Sequence, residues 1–183
     1  NRRDETAGVE DKAGDIEGHA KVSLSCARWA AYLGEHGGKA KDGLGMPDED
    51  MIRLYSQRIL ALAADIPMSG RLAHPQVSAK RRSPLCGSTV TVDLMLGDDG
   101  RIADFRQDVK ACALGQASAA VLGRHVVGAS RSEIEATRNA LEAMLKSGGP
   151  VPGAPFDDLE VLEPAKDFRN RHASILLAWD ATL

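Results

Sequence analysis

Along residues 88–96 an apolar side chain occurs at every second position, at Val90, Val92, Leu94 and Leu96. A period of two predicts a strand with one buried face. Residues 97–100 read Gly-Asp-Asp-Gly, which indicates a hairpin turn, and residues 101–109 read as the returning strand. The connection is too short for a crossover, so we expect the two strands to pair antiparallel.

Apolar residues elsewhere recur at helical spacing. The first such segment starts near Asp48 and Asp50, either of which can cap a helix N-terminus. Ser132 and Glu135 have the spacing of a capping box, which predicts the start of a second amphipathic helix. Two further helices are predicted, one from a segment rich in small helix-forming residues and one from the apolar C-terminal segment. The predicted helices cover residues 50–64, 111–124, 132–146 and 168–183.

The order of these elements predicts the fold class. Strands are followed by helices, without the strand–helix–strand alternation that builds a parallel sheet. We therefore expect an α+β fold, with a small antiparallel β-sheet of about three strands packed by helices. The chain has 183 residues and 43% of them are hydrophobic, which suits one domain of ordinary size with a short extra segment.

The first 47 residues differ from the rest in composition. They are rich in glycine, and residues 1–50 carry 7 basic and 11 acidic side chains. We expect residues 1–47 to be disordered, or to be an extraneous N-terminal segment upstream of a native start at Met46 or Met51. The organised domain is expected over residues 48–183.

Charge and composition exclude several classes of protein. The net charge of −3 argues against a nucleic-acid-binding surface. No apolar run reaches the roughly 20 residues of a membrane helix, and the first residues lack a secretory signal. Three cysteines are too few for a disulfide scaffold, which favours a cytoplasmic protein with free thiols.

Two of the cysteines, Cys86 and Cys112, flank the predicted hairpin. The outer ends of two paired strands lie side by side, so these thiols are expected to be neighbours in space. Cys112 also stands at a helix N-terminus, where positive potential stabilises a thiolate that can bind soft metals or accept sulfur. Two buried, inert cysteines are the alternative that the spacing leaves open.

The residues around these cysteines resemble a known family. Residues 85–88 (Leu-Cys-Gly-Ser) and 111–118 (Ala-Cys-Ala-Leu-Gly-Gln-Ala-Ser) are similar to the cysteine motifs of the NifU N-terminal/IscU/SufU family of iron–sulfur cluster assembly scaffolds. The C-terminal segment 168–179 resembles the SufU-type ending. The resemblance covers residues 50–183 and implies the fold of that family.

The resemblance also implies a ligand set. Family members bind zinc or a nascent cluster through three cysteines and the aspartate of a Cys-Gly-Asp turn, and they take sulfur from a cysteine desulfurase. Cys86 and Cys112 match two of these cysteines. Ser88 stands at the aspartate position and Ser174 at the third cysteine position. Hydroxyls are poor ligands for iron or zinc, so this sequence retains only two of the four family ligands, Cys86 and Cys112.

Other residues are candidates to complete such a site. His172 is the first candidate for a replacement ligand, because it precedes Ser174 by two residues in the same predicted helix. His125 more simply caps a helix C-terminus, and Cys26 near Trp29 is read as packed or incidental. Weaker candidates are His74 and Asp108 as ligands, and Lys110 and Arg171 as cations beside a thiolate.

Three function classes follow from the resemblance. The first is a scaffold that binds iron or a transient iron–sulfur cluster through Cys86 and Cys112, without turnover of its own. The second is a zinc-dependent sulfur acceptor, a sulfurtransferase in which Cys112 or Cys86 is the attacking thiolate. The third is a degenerate interaction module that binds no metal. The implied partners are a cysteine desulfurase and recipient apo-proteins, with no nucleic acid and no membrane.

Overall fold

The computed structural model describes residues 56–84 and 86–183. The predictions for residues 1–47, for the caps Asp48 and Asp50 and for Cys26 therefore lie outside the described residues. The elements in chain order are α1 (Gln57–Ala64), β1 (Val77–Arg82), β2 (Thr89–Leu96), β3 (Ile102–Lys110), α2 (Ala113–His125), α3 (Arg131–Ser147), a 3-10 helix (Asp157–Asp167) and α4 (Arg169–Thr182).

The three strands form one antiparallel sheet in the order β1-β2-β3. The α+β fold is confirmed, and so is the hairpin, in which the Gly97 N–H donates to the Arg101 carbonyl at 2.8 Å. The third strand is β1, which the alternation of polar and apolar residues does not reveal. Five of its six residues are exposed, since it is an edge strand with the sequence VSAKRR.

The core lies between the sheet and the helices. Alternate residues of β2, Val90 and Val92, are buried beside Phe105 of β3. Helices α2 and α4 pack side by side; α2 contacts β3, while α4 contacts β1 and β2. Helices α1 and α3 pack on the outside of this pair. Every helix in the described part of the chain is too short or too polar to cross a membrane.

A buried hydroxyl joins the two central helices. Ser118 of α2 donates to the carbonyl oxygen of Ile175 at 2.7 Å, and the indole Nε1 of Trp179 donates to Ser118 at 3.0 Å. The Trp179 side chain is fully buried, and Phe156 meets it edge-on with 5.2 Å between ring centroids. These contacts fix α4 against α2, both along the helix axis and in rotation.

The first helix starts later than the sequence predicts. Ser56 is extended, with φ −53° and ψ 156°, and its hydroxyl accepts a hydrogen bond from the Ile59 N–H at 3.4 Å. A serine in this position satisfies one of the N–H groups that a helix leaves unpaired at its start. The predicted helix over residues 50–64 is thus corrected to one that begins at Gln57.

The capping box of α3 also lies elsewhere than predicted. Ser130 is the N-cap: its hydroxyl accepts from the Glu133 N–H at 3.3 Å, and the Glu133 carboxylate accepts from the Ser130 N–H at 2.6 Å. Ser132 already lies inside the helix, so the predicted Ser132–Glu135 box is wrong by two residues. Both serines precede a glutamate by three positions, and only the extended backbone at Ser130 distinguishes them.

The loop between α1 and β1 is held against the second face of the sheet. Asp93 of β2 is fully buried, and it accepts from Arg71 Nη2 at 2.9 Å and from the Leu72 N–H at 3.1 Å. The hydrogen bond from Arg71 holds the pKa of Asp93 below its usual value. This ion pair explains why a charged residue occurs within a strand that is buried on both faces.

The close approach of α2 and α4 yields a test. A Cβ added at Gly115 would lie 2.9 Å from the Ser174 carbonyl oxygen and 2.6 Å from its hydroxyl. Because the backbone of α4 must move to admit it, Gly115→Ala is expected to lower the free energy of unfolding. Overpacking costs about 1–3 kcal/mol, and the higher helix propensity of alanine recovers up to about 1 kcal/mol. Urea unfolding measures the difference.

Gly153→Ala is the matched control, because nothing lies within 4 Å of a Cβ at that position. We expect this variant to unfold at the urea concentration of the parent or slightly above it. If Gly115→Ala is as stable as Gly153→Ala, α2 and α4 are not in the tight contact described.

Candidate functional site

One end of the sheet carries the predicted cysteines. One row across the three strands consists of Arg82, Thr89 and Lys110. Strands β1 and β3 end in this row and β2 begins in it. Beyond β1 the chain enters a turn that contains Cys86, and beyond β3 it reaches Cys112. The hairpin therefore brings the segments that carry both thiols to the same end of the sheet.

The turn that presents Cys86 is closed by backbone hydrogen bonds. The Ser83 N–H donates to the Ser88 carbonyl at 2.9 Å, and the Gly87 N–H donates to the Ser83 carbonyl at 3.1 Å. Gly87 has a φ of +69°, a conformation that residues with a Cβ rarely adopt. Glycine thus permits the reversal that places the side chains of Cys86 and Ser88 close together.

The helices supply the other half of the site. Cys112 is the N-cap of α2, with an extended backbone and no side-chain hydrogen bond to the helix N–H groups. Ser174 lies in the second turn of α4, one residue before Ile175, whose carbonyl is bound by Ser118. The contact between α2 and α4 that fixes Ser118 therefore also places Ser174 beside Cys112.

Hydroxyl groups connect the two thiols. The Cys86 Sγ lies 3.0 Å from the Ser88 Oγ, which lies 3.1 Å from the Ser174 Oγ, and this in turn lies 3.4 Å from the Cys112 Sγ. Both serines are buried, whereas the two cysteines are free and partly exposed. The two thiols therefore lie closer to solvent than the two serine hydroxyls, which are buried beneath them. We call Cys86, Ser88, Cys112 and Ser174 the thiol–hydroxyl cluster.

The cluster changes the acidity of Cys86. Burial by itself raises the pKa of this thiol, but hydrogen bonds with the Ser83 and Ser88 hydroxyls, the Ser88 backbone and the Ser174 hydroxyl act in the opposite direction. The net effect lowers the pKa of Cys86 to about 7. A thiol with this pKa is about half thiolate at neutral pH, and the thiolate is the nucleophilic and metal-binding form.

Ser83 is a site residue that the sequence analysis missed. Its side chain is 1% exposed and its hydroxyl accepts a hydrogen bond from the Cys86 thiol at 3.2 Å. A serine before a proline is typical of turns, so the pattern gave no reason to assign it a role. The sequence carries no signal for this role, because Ser83 lies three residues before Cys86 and only the folded turn brings its hydroxyl to the thiol.

His172 does not join the cluster. Its ring Nε2 lies 3.0 Å from the carbonyl oxygen of Ala165, and the side chain is buried in a groove between α3 and α4. Residues two apart in a helix point to different sides, so His172 faces away from the thiols that Ser174 contacts. The structure therefore gives no support to His172 as the replacement ligand.

The remaining candidates are surface residues or helix-end residues. Lys110 lies 3.4 Å from Asp108, and both side chains are well exposed. His125 is the last residue of α2 and packs edge-on against Phe156. His74 is exposed in the loop before β1, and Arg171 is partly exposed in the first turn of α4.

Within residues 56–84 and 86–183, no three histidine, cysteine, aspartate or glutamate side chains are grouped as metal ligands. The donor set of the described site is two thiols and two hydroxyls. Tetrahedral zinc sites use four thiolate, imidazole or carboxylate ligands, and hydroxyls are weak substitutes for these. The residues therefore do not fit a resident zinc ion, although the two thiolates suit a soft metal.

No family model matches the chain. Among curated proteins, it is similar to the iron–sulfur cluster assembly scaffold protein IscU of Thermotoga maritima, with 25% identity over 131 residues. The match covers 69% of this chain and 87% of that protein.

Solved structures give a stronger match. The N-terminal part of a NifU-like protein from Brucella abortus is 47% identical, with a TM-score of 0.70 over 73% of this chain and 92% of that one. FiSufU of Fervidobacterium islandicum AW-1, assigned as the scaffold protein of the SUF system, is 21% identical with a TM-score of 0.62. This match covers 71% of this chain and 94% of FiSufU, and the two proteins share the fold. The chain therefore belongs to the NifU N-terminal/IscU/SufU family of iron–sulfur cluster assembly scaffold proteins.

Proposed function

We propose that this protein is an iron–sulfur cluster assembly scaffold, in a domain spanning residues 48–183. Iron or a transient cluster is its cargo, held by the thiolates of Cys86 and Cys112. The single observation that carries the proposal is the convergence of these two thiols on the Ser174 and Ser88 hydroxyls at the end of the sheet. Thiolates are the ligands that iron–sulfur clusters use in proteins.

The proposed cargo implies two kinds of protein partner. A scaffold of this kind receives sulfur from a cysteine desulfurase and passes the finished cluster to recipient apo-proteins. Both thiols are free and reach the surface, so a donor or recipient can approach them from solvent. A reducing cytoplasm would keep them in this state.

The acidity of Cys86 favours a second candidate function, a sulfur acceptor. In this reaction the Cys86 thiolate attacks the terminal sulfur of a cysteine persulfide on the desulfurase. A sulfur–sulfur bond forms at Cys86, the donor's sulfur–sulfur bond breaks, and the donor cysteine leaves as a thiolate. No electrons are gained or lost overall. The observation in its favour is the pair of hydroxyls, Ser83 and Ser88, within 3.2 Å of the Cys86 sulfur. These contacts help to lower the pKa of Cys86 to about 7, which supplies the attacking thiolate at neutral pH.

Cluster binding is tested by anaerobic reconstitution with ferrous iron and sulfide. We expect Cys86→Ser and Cys112→Ser each to lose the visible absorption of the cluster and nearly all bound iron, because a single thiolate remains. Cys26→Ser is the matched control and is expected to retain the iron content of the parent. Iron and sulfide per chain are measured after gel filtration.

Circular dichroism and melting temperature show whether the two serine variants fold, since Cys112 packs against the core. Folded variants that bind as much iron as the parent would contradict the proposal. A parent that binds neither iron nor cluster would leave the degenerate interaction module as the function.

The pKa of Cys86 is tested by the pH dependence of alkylation. Thiolate reacts with iodoacetamide, so the labelling rate of Cys86 should rise with pH around a midpoint of about 7. An ordinary cysteine shows a midpoint near 8.5, roughly thirtyfold less thiolate at pH 6. Peptide mass spectrometry follows Cys86 separately from the other cysteines.

Ser83→Ala removes a hydrogen-bond partner of the thiolate and is expected to move the midpoint upward. Ser147→Ala is the control, because Ser147 is an exposed residue at the end of α3. A parent midpoint at or above 8.5, or equal midpoints in the two variants, would show that the hydroxyls do not stabilise the thiolate.

A further inference from the structure

Strand β1 lies at the edge of the sheet, and within the described part of the chain it pairs with β2 alone. In an antiparallel pair, the N–H and C=O groups of one residue point to the same side, and successive residues point to opposite sides. The Ser83 N–H donates to the Ser88 carbonyl at 2.9 Å, so the backbone of Ser83 faces β2. Counted back along β1, the backbone groups of Ser78, Lys80 and Arg82 therefore point away from the sheet.

This free edge is strongly basic. Lys80, Arg81 and Arg82 are consecutive and exposed, and none of them forms an ion pair with a carboxylate of residues 56–84 and 86–183. A long contact of 3.5 Å from Arg81 Nη1 reaches the Lys80 carbonyl, which leaves this acceptor available to a stronger donor. The edge thus combines open backbone hydrogen-bonding groups with cations that have no partner in the described chain.

The positive charge selects which strand can pair with this edge. Natural proteins place charged residues, lysine above all, on exposed edges to prevent pairing with other chains. A second copy of β1 would bring like charges directly opposite each other, which is unfavourable. A strand that carries carboxylates would instead place opposite charges across the new pair. The same cations therefore oppose self-association and favour an acidic strand.

The register of the sheet gives the side-chain pattern of such a strand. Lys80 and Arg82 share one face of β1, and Val77 and Ala79 lie on the other, because side chains alternate between faces. Val77 is 48% exposed, an unusual value for a valine in a strand. Side chains directly opposite each other have Cβ atoms about 4.5–5.5 Å apart. Acidic residues at every second position would meet the two cations, and small apolar residues between them would cover Val77 and Ala79.

We infer that β1 is a docking edge for an extended acidic segment of a partner protein, which adds to the three-stranded sheet as a further strand. In this mode of recognition the main-chain hydrogen bonds supply affinity and the side chains supply specificity. The inference goes beyond the proposed function, because it requires neither metal nor sulfur. Strand β1 ends at Arg82 and the turn with Cys86 follows, so a partner held on this edge lies next to that turn.

Binding is tested on the metal-free full chain with fluorescently labelled peptides and fluorescence anisotropy. The main probe is an octapeptide in which glutamate alternates with valine and threonine. We expect saturable binding that weakens with added salt, because salt screens exposed charges. The same peptide with lysine in place of glutamate should not bind. A glutamate peptide methylated on every backbone nitrogen should bind about tenfold more weakly or worse, because it cannot donate hydrogen bonds to the edge.

Two substitutions at Lys80 separate backbone pairing from charge. Lys80→Gln removes one cation and should weaken binding by up to about fivefold. Lys80→Pro removes the same cation and also the outward N–H, and should weaken binding about tenfold or more. Proline is tolerated on an edge strand where the N–H faces solvent, and circular dichroism checks the fold. Arg131→Gln is the matched control, because Arg131 is an exposed cation at the start of α3, and it should bind the peptide like the parent.

Several results would overturn the inference. No binding of the glutamate peptide, or equal binding of its methylated form, would exclude strand addition, and the methylated form decides alone if Lys80→Pro does not fold. Equal weakening by Lys80→Gln and Lys80→Pro would reduce the interaction to charge. A uridine oligonucleotide that binds as tightly as the peptide would make the edge a general polyanion surface. A dimer of the metal-free parent that is lost in Lys80→Pro, measured by light scattering, would make a second copy the occupant. Cluster binding is measured separately by reconstitution, so its failure is a different result.

Discussion

The contact between α2 and α4 is the interaction on which the site depends. Ser118 binds both the Ile175 carbonyl and the Trp179 indole, and so fixes the helices along their axes and in rotation. Cys112 begins one of these helices and Ser174 lies in the other, next to Ile175. Gly115 leaves no room for a Cβ between the helices, so their close approach, and with it the 3.4 Å contact between Cys112 and Ser174, depends on this glycine.

The sequence predicts the fold where periodicity is strong. The period of two in β2 and the Gly-Asp-Asp-Gly turn define the hairpin, and the hairpin explains why the segments bearing Cys86 and Cys112 meet. Periodicity fails for β1, because an exposed edge strand buries too little of either face to need alternation. It also fails for the 3-10 helix Asp157–Asp167, which contains Pro164 and is too irregular for a helical pattern.

The chemistry of the site was harder to predict than its position. The family resemblance places Ser88 and Ser174 at ligand positions, but sequence does not show that their hydroxyls bond to each other and to both thiols. The role of Ser83 cannot be predicted from the sequence, since it arises from the closed turn around Cys86. The sequence itself disfavours His172 as a ligand beside Ser174, because residues two apart in a helix do not share a face.

A half-complete donor set has a consequence for a protein whose cargo must leave. A complete zinc site in a zinc-finger peptide binds with an apparent free energy of about 10–16 kcal/mol, which suits a structural metal. Two thiols and two hydroxyls supply fewer strong ligands than such a site, so the described residues would hold a metal less tightly. Under the proposed function, a recipient that offers further thiolates could complete the coordination from the solvent side, so release is coupled to ligand exchange rather than to breakage of a closed site.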